Sequence, residues 1–259
     1  MSTANSRSSS EAAGARDETR RPAKRTADEL RALAEAGNAE LGSLTSHEAS
    51  ASEIAAWVAR NFAVDAVAVA CSMADAVIPY IVAEQLPGVD VLFLDTGYHF
   101  TETYATRDEV ARVLDVNVVD VKPKQTVAEQ DAAYGKDLFA RDPALCCDLR
   151  KVQPLHEILG GYEVWFTGVR RDEAPTRTNT PLVTFDERNG LVKVCPVAAW
   201  SFDELQTFAL EHNVPVNLLV NFGYPSIGCA PCTKPVAAGE DPRSGRWAGS
   251  SKTECGLHV

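Results

Sequence analysis

The sequence predicts an α/β fold, built as a doubly wound and mainly parallel sheet. Short apolar runs alternate with longer segments of helical periodicity along most of the chain. That alternation is typical of parallel strands joined by helices that cover both faces of a sheet. The run from Val64 to Cys71 is almost continuously apolar, as expected of a strand buried on both faces. Ser50 and Glu53 have the capping-box spacing that begins a helix.

Five strands and seven helices are predicted in chain order. The strands are short apolar runs that end in polar turns, at Val64 to Cys71, Val89 to Leu94, Val116 to Val121, Tyr162 to Thr167 and Leu191 to Val194. The helices are predicted at Asp28 to Leu41, Ser50 to Phe62, after Asp75 through Leu86, Thr101 to Leu114, Thr126 to Tyr134, after Asp142, and Ser201 to His212.

The composition limits the partners of the chain. It has 259 residues and a formal net charge of −11, so it can bury a full core but is a poor general binder of nucleic acid. No apolar run approaches the roughly 20 residues that span a bilayer, so no membrane partner is expected. Residues 1–26 are predicted to be a disordered tail because they contain almost no large apolar side chain. Residues 27–228 are predicted to form the main domain, and residues 229–259 a C-terminal segment.

The seven cysteines are expected to be thiols or metal ligands. The N-terminal residues lack the apolar segment of a signal peptide, which predicts a reducing cytoplasm in which disulfides are rare. Cys71 and Cys195 end predicted strands and are interpreted as small buried apolar groups. The other five lie in two motifs and near the C-terminus.

Three polar turns follow predicted strands, where ligands bind in parallel sheets. They are Ser72 to Asp75, Asp95 to Gly97 and Gly168 to Arg171. Ser72 precedes a predicted helix N-terminus, a natural site for anionic oxygens, although a simple N-cap is the alternative. The first turn lacks the glycines with which a diphosphate cradle approaches its phosphates, and this argues against cleavage of ATP.

Four cysteines form a candidate metal site. Cys229 and Cys232 have the Cys-x-x-Cys spacing, and the adjacent Cys146 and Cys147 follow a helix start at Asp142. Arg150 and Lys151 come four residues after this pair, which predicts that their charges lie over the two sulfurs. Adjacent cysteines are unusual for tetrahedral zinc and better suited to an iron-sulfur cluster, but zinc remains an alternative.

Cys255 is the candidate nucleophile. It lies in a segment rich in Gly, Pro, Ser and charge, which predicts a mobile lid. Arg243 and Arg246 precede it in this segment and suit sulfate or phosphate oxygens, and His258 follows three residues later. A thiol beside such cations ionises readily and becomes nucleophilic.

These motifs together resemble the assimilatory adenylyl-sulfate (APS) reductases, within the wider phosphoadenylyl-sulfate (PAPS) reductase family. The resemblance covers about Val64 to His258, and the combination of motifs is highly specific. The matching segments are Leu94 to Tyr98, Cys146 to Lys151, Thr167 to Arg171, Ile227 to Cys232, Asp241 to Trp247 and Lys252 to His258.

The resemblance implies a fold, a cofactor and a set of site residues. The fold is that of the adenine-nucleotide hydrolase-like (PP-loop) superfamily. The implied ligands of a [4Fe-4S] cluster are Cys146, Cys147, Cys229 and Cys232. The implied nucleophile is Cys255, and residues around the substrate's sulfate and phosphate are Lys151, Arg243, Arg246 and His258. The implied nucleotide pocket consists of Ser72, Thr96, Gly168 and Arg171.

The resemblance also implies a reaction, namely reduction of APS to sulfite and AMP in sulfate assimilation and cysteine biosynthesis. Cys255 would attack the sulfur of APS, and thioredoxin would then release sulfite from the resulting S-sulfocysteine. A reductase for PAPS is the nearest alternative. An ATP-using adenylyltransferase of the same fold and an oxidant-sensing metalloprotein are the others.

Overall fold

The computed structural model describes residues 24–237, 239–249, 252 and 254–257. Nine α-helices occur within these residues: α1 (Ala27–Glu40), α2 (Ala51–Asn61), α3 (Val77–Gln85), α4 (Thr101–Val113), α5 (Val127–Tyr134), α6 (Leu138–Arg141), α7 (Pro143–Cys147), α8 (Gln153–Leu159) and α9 (Phe202–Glu211). The strands are β1 (Val67–Ala70), β2 (Val89–Leu94), β3 (Val116–Val121), β4 (Val164–Phe166), β5 (Val183–Asp186) and β6 (Leu191–Val194).

The six strands form a single sheet in the order β3-β2-β1-β4-β6-β5. All neighbouring pairs are parallel except β5 and β6, which confirms the predicted α/β class. β5 was not predicted. It joins β6 through a hairpin that contains Asn189-Gly190, with Gly190 at a φ of +70°, and this dipeptide is a recognised hairpin signal.

The central strands are buried on both faces, as the apolar run in β1 predicts. Val67 and Val69 belong to one core cluster with Trp57 of α2, whereas Ala68 belongs to a second cluster with Trp165 of β4. β1 is shorter than predicted because residues Val64–Ala66 form a 3-10 turn before it.

The predicted tail and the described structure overlap at three residues. Residues 1–23 lie outside the described residues. Thr26 is the N-cap of α1, with a capping box to Glu29. The Arg25 guanidinium donates a 3.0 Å hydrogen bond to Glu163 and a 2.7 Å bond to the Asn61 carbonyl. The ordered chain therefore begins before residue 27. No helix among the described residues is long and apolar enough to cross a bilayer.

Arg171 ties the loop after β4 to the segment before α2. Its guanidinium forms two 2.7 Å hydrogen bonds with the Glu48 carboxylate, and its Nε donates to the Thr180 carbonyl at 2.8 Å. Both side chains of the ion pair are largely buried. The Arg171 hydrogen bond holds the pKa of Glu48 below its ordinary value. The arrangement indicates a structural ion pair.

We expect Glu48→Gln to lower the free energy of unfolding by about 1–3 kcal/mol, because it removes a charge-assisted pair from a partly buried site. The matched control is Glu187→Gln. Glu187 also accepts two hydrogen bonds from one arginine, Arg31, but its side chain is 72% exposed, so a loss below about 1 kcal/mol is expected. Urea denaturation measures both, and equal losses would contradict the assignment.

Candidate active site

A cavity of about 240 Å³ lies at the carboxyl edge of the sheet. The turns after β1 and β4 and the C-terminal segment contribute to its wall. Six of the residues predicted for the site line it together: Ser72, Lys151, Gly168, Arg243, Arg246 and Cys255. These residues are spread over more than 180 positions of the sequence, and the parallel topology brings them to one edge.

The turn after β1 differs from the predicted helix start. α3 begins at Val77, and the Asp75 carboxylate accepts its first amide hydrogen bond at 3.0 Å. Ser72 therefore does not cap the helix. It is exposed and faces the cavity, because Met73 beside it takes a left-handed conformation with a φ of +58° and is fully buried. Burial raises the pKa of the Asp75 carboxyl, which also lines the cavity.

Arg170 takes the place at the cavity that the sequence assigned to Arg171. The backbone at Arg170 is extended, with φ −116° and ψ 149°, so successive side chains point in opposite directions. Arg170 lines the cavity and pairs with Asp172 at 3.1 Å. Arg171 points away toward Glu48 and is absent from the cavity wall among the described residues.

Lys151 and Arg246 form the cationic part of the wall. Burial opposes the charge of Lys151, but the nearby sulfurs of Cys229, Cys255 and Cys147 raise its pKa above the ordinary value. Arg246 is held by Ser226 Oγ at 3.2 Å and stacks on the Trp247 ring, with 4.6 Å from its guanidinium carbon to the ring centroid. Burial and the neighbouring Arg243 lower the pKa of Arg246.

A second, smaller cavity adjoins the first and is lined by four cysteines, Cys146, Cys147, Cys229 and Cys232. Lys151, Arg246 and Trp247 line both cavities. α7 begins as predicted, with Asp142 accepting a 2.9 Å hydrogen bond from the Leu145 amide and proline at the first helical position. The sequence-distant cysteine pairs thus meet beside the cations.

Arg150 lines the four-cysteine cavity, as its spacing from Cys146 predicted, and it also joins two elements of the fold. Residues Asp148–Val152 form a π-helical turn, and the charges of Arg150 and Lys151 still oppose the rise in the pKa of Cys146 and Cys147, respectively. Arg150 Nε donates a 2.5 Å hydrogen bond to the Thr96 carbonyl, and its Nη1 bonds Gln130 Oε1 at 3.1 Å. Its guanidinium joins the turn after β2 to α5.

Thr96 belongs to the cysteine site. It is fully buried, and its Oγ1 lies 3.3 Å from Cys229 Sγ. It does not occur among the described residues that line the larger cavity. Ala230 donates a 2.7 Å backbone hydrogen bond to the Tyr98 carbonyl, so the turn after β2 fixes the Cys-x-x-Cys segment.

The chemistry of the small cavity suits an iron-sulfur cluster. Burial and the neighbouring sulfurs raise the pKa of Cys146 to about 12 and that of Cys232 to about 11, so four thiolates need a cationic centre to coexist there. Two buried donors, Arg246 Nε and Trp247 Nε1, have no hydrogen-bond partner among the described residues, and sulfur acceptors of a cluster would suit them.

In the part of the chain that the structure describes, no three His, Cys, Asp or Glu side chains are close enough to share one ion. Each cysteine of a four-iron cluster binds a different iron, so zinc and a cluster need different spacings of the four sulfurs.

The remaining two cysteines differ from each other. Cys195 is buried, as predicted, and burial raises its pKa to about 11. Cys71 is half-buried and lines the larger cavity, where burial raises its pKa to about 12. Its Sγ lies 3.3 Å from the Asp75 carbonyl oxygen.

The C-terminal segment is docked on the cavity at the residues that the structure describes there. Cys255 is half-buried and lines the cavity. The preceding Glu254 pairs with Arg177 and Arg243. Leu257 packs against the second core cluster. His258 lies outside the described residues, so its place at the site stays a prediction.

Asp75 and Arg170 lie in turns that were predicted to bind a ligand but were not singled out as site residues, whereas His99, Glu173 and Arg177 were not predicted for the cavity. The Nε2 atom of His99 lies 2.7 Å from the Leu94 carbonyl oxygen. Arg177 follows β4 by eleven residues in an irregular loop, and periodicity offers no signal there. Asp75 forms an isolated antiparallel β-bridge with Val216. Because Val216 is distant in sequence, the local pattern of the turn could not predict this contact.

Comparison with known proteins identifies similar sequences over most of the chain. The family model for the phosphoadenosine phosphosulfate reductase domain matches residues 66–235. Relatives named adenosine 5'-phosphosulfate reductase occur in Streptomyces coelicolor, at 57% identity over 90% of this chain and 97% of theirs, and in Rhodococcus erythropolis, at 56% identity over 90% and 96%.

Solved structures show the same fold. The phosphoadenylyl-sulfate (PAPS) reductase from Candida auris, determined as a phosphate complex, superposes with a TM-score of 0.65, with 26% identity over 78% of this chain and 96% of that chain. The FMN adenylyltransferase of Candida glabrata superposes with a TM-score of 0.52 at 11% identity, covering 81% of this chain and 73% of its own. The second similarity concerns the fold alone.

We expect Gly228→Ala to weaken binding of inorganic sulfate to the cavity by roughly tenfold or more, because it displaces a charged donor. A methyl group there would lie 2.2 Å from Arg246 Nη2. The control is Gly160→Ala at the end of α8, where the backbone is helical, with a φ of −52°, and the added carbon would come no closer than 3.2 Å to its nearest neighbour, the Glu157 carbonyl oxygen. Calorimetric titration with sulfate measures both variants. Equal affinities would contradict the role of Arg246 as an anion ligand.

Proposed function

We propose that this chain, which belongs to the phosphoadenosine phosphosulfate reductase domain family, reduces adenosine 5'-phosphosulfate (APS) to sulfite and AMP in sulfate assimilation. The observation that carries the proposal is the cavity in which Cys255 faces Lys151, Arg243 and Arg246. A thiol beside three cations suits attack on an anionic sulfur centre. The relatives of about 57% identity carry the name of this activity.

In the first step the Cys255 thiolate attacks the sulfur atom of APS. An S–S bond forms, the bond from sulfur to the bridging phosphate oxygen breaks, and AMP leaves with that electron pair. Both reactants are anions, and the leaving phosphate gains negative charge. Lys151, Arg243 and Arg246 stabilise that charge, and their partly buried positions strengthen the effect.

In the second step a dithiol protein of the thioredoxin class reduces the S-sulfocysteine. One thiolate of the reductant attacks Cys255 Sγ, and sulfite leaves with the electron pair of the S–S bond. The second thiol of the reductant then displaces the Cys255 thiolate and completes a disulfide. The two electrons that convert sulfate-level sulfur to sulfite therefore come from the dithiol. A reducing cytoplasm, as the sequence predicts, maintains such a dithiol.

Cys146, Cys147, Cys229 and Cys232 would hold a [4Fe-4S] cluster, as their shared cavity and the two donors on its wall that have no partner among the described residues support. When bound, this group supplies an anionic iron-sulfide centre beside the cations of the active site. Lys151 and Arg246 line both cavities. These two side chains therefore orient the sulfonate while they balance the charge of the cysteine site.

The adenosine moiety would occupy the end of the cavity near Ser72 and Gly168, which line it between β1 and β4. The Thr96 and Arg171 side chains have other partners, so they support this pocket only indirectly. Arg170 takes the place of Arg171 in the proposal. His258 keeps its predicted role near the sulfate.

A PAPS reductase is the second candidate, and it is supported by the similar fold of the PAPS reductase from Candida auris. The 57% identity to relatives named for the unphosphorylated nucleotide favours APS. The ATP-using adenylyltransferase and the oxidant sensor predict no sulfite from either nucleotide.

We expect anaerobic incubation with APS, without reductant, to leave one sulfonate group on Cys255 and to release one AMP. Intact-mass and peptide analysis measure the adduct, and PAPS in a parallel reaction tests the second candidate. Cys255→Ser is expected to form no adduct while it stays folded and keeps its iron. Cys195→Ser, at a buried thiol outside the cavity, is the control. Labelling of another cysteine, or faster reaction with PAPS, would contradict the proposal.

We expect Cys229→Ser to lose most of its iron, because one of four ligands is removed. Anaerobically purified protein is analysed for iron and zinc and for visible absorbance. The control is Cys71→Ser, since Cys71 lines the larger cavity and is absent from the described wall of the small one. Zinc in place of iron in the unmodified protein would refute the cluster.

A further inference from the structure

Glu254, the residue before Cys255, is held by two arginines of the cavity wall. Its carboxylate forms a two-pronged pair with Arg177, at 3.0 Å from Nε and 2.7 Å from Nη2. Arg243 Nη2 reaches the same carboxylate at 3.2 Å. The side chains of all three residues are 10–14% exposed. Two-pronged arginine pairs fix orientation as well as distance.

Arg177 is itself fixed in the loop after β4. It belongs to the 3-10 turn Pro175–Arg177, and it also pairs with Glu173. Arg177 Nη1 pairs with Glu173, whereas the Nε and Nη2 atoms of the same guanidinium pair with Glu254. The pairing lowers the pKa of Glu254 although burial opposes this. Glu254 therefore stays ionised through the neutral range, and the contact does not act as a pH switch.

The segment is also held on the other side of Cys255. Arg188 Nη1 donates a 2.9 Å hydrogen bond to the Gly256 carbonyl, and Leu257 packs against the second core cluster. Cys255 is thus placed between two anchors. The carboxylate anchor is the ionic one, and it shares Arg243 with the cavity where the anionic substrate would bind.

We propose that Glu254 is a positioning residue, whose pair with Arg177 holds Cys255 over the substrate for the first step and opens for the second. This rests on the proposed function. Attack on the sulfonucleotide needs Cys255 within the cavity. Reduction of the S-sulfocysteine needs the same atom outside it, because the half-buried thiol must meet a protein reductant. An ionic contact at the adjacent residue stabilises the first arrangement without a permanent bond.

The test measures the two steps separately in Glu254→Gln. In single turnover with APS and no reductant, the rate of adduct formation on Cys255 is expected to fall roughly 10- to 100-fold, because the substitution removes a charge-assisted contact. In the second assay, preformed S-sulfo protein is mixed with thioredoxin. Sulfite release is expected at the unmodified rate or faster. The melting temperature and the iron content of the variant are also measured. Both are expected to be unchanged, which would show that the fold and the cysteine site are intact.

The matched control is Glu240→Gln, an exposed glutamate of the same segment, for which both rates are expected to stay within about twofold. Arg177→Gln is expected to slow the first step. The double variant with Glu254→Gln is expected to be only slightly slower, because both substitutions remove the same contact. A normal first step in Glu254→Gln, or equal slowing of both steps, would overturn the inference. Failure of the unmodified protein to form any adduct would instead refute the proposed function.

Discussion

Charge balance at one edge of the sheet is the constraint on which the rest of the site depends. The chain is acidic overall, with a formal net charge of −11, yet six cysteines line the two cavities at this edge. Lys151 and Arg246 separate the four-cysteine cavity from the cavity of Cys255 and line both. Desolvated cations interact strongly with neighbouring anions. These two side chains therefore make it possible for a cysteine cluster and an anionic substrate to be neighbours.

The architecture places these groups by topology. Parallel strands direct their carboxyl ends to a common edge, and the turns after β1, β2 and β4 each contribute there. The turn after β2 reaches the cysteine site through Thr96 and Tyr98 and the larger cavity through His99, beside the turns after β1 and β4. One edge of the sheet thus carries two adjacent cavities, of which one is lined by four cysteines and the other by Cys255 and several cations.

Much of the fold could be predicted because its signals are local. β2 and β3 occur at the predicted residues, and the capping boxes of α2 and α9 lie at the expected starts. The site was less predictable. Arg170 and Arg171 are chemically identical neighbours, and only the extended backbone between them decides which one faces the cavity. Thr96 and Arg177 depend on contacts with Cys229 and Glu254 that lie far away in sequence.

The π-helical turn at Asp148–Val152 has a consequence for the phase of the helix that follows the cysteine pair. An α-helix rotates by about 100° per residue, so one surplus residue in a turn shifts every later side chain around the axis by that amount. Arg150 lies on the wall of the four-cysteine cavity, and Lys151 lies on the wall that this cavity shares with the larger one. Removing a single residue from this turn would rotate the side chains that follow it around the helix axis and leave the composition of the segment almost unaltered.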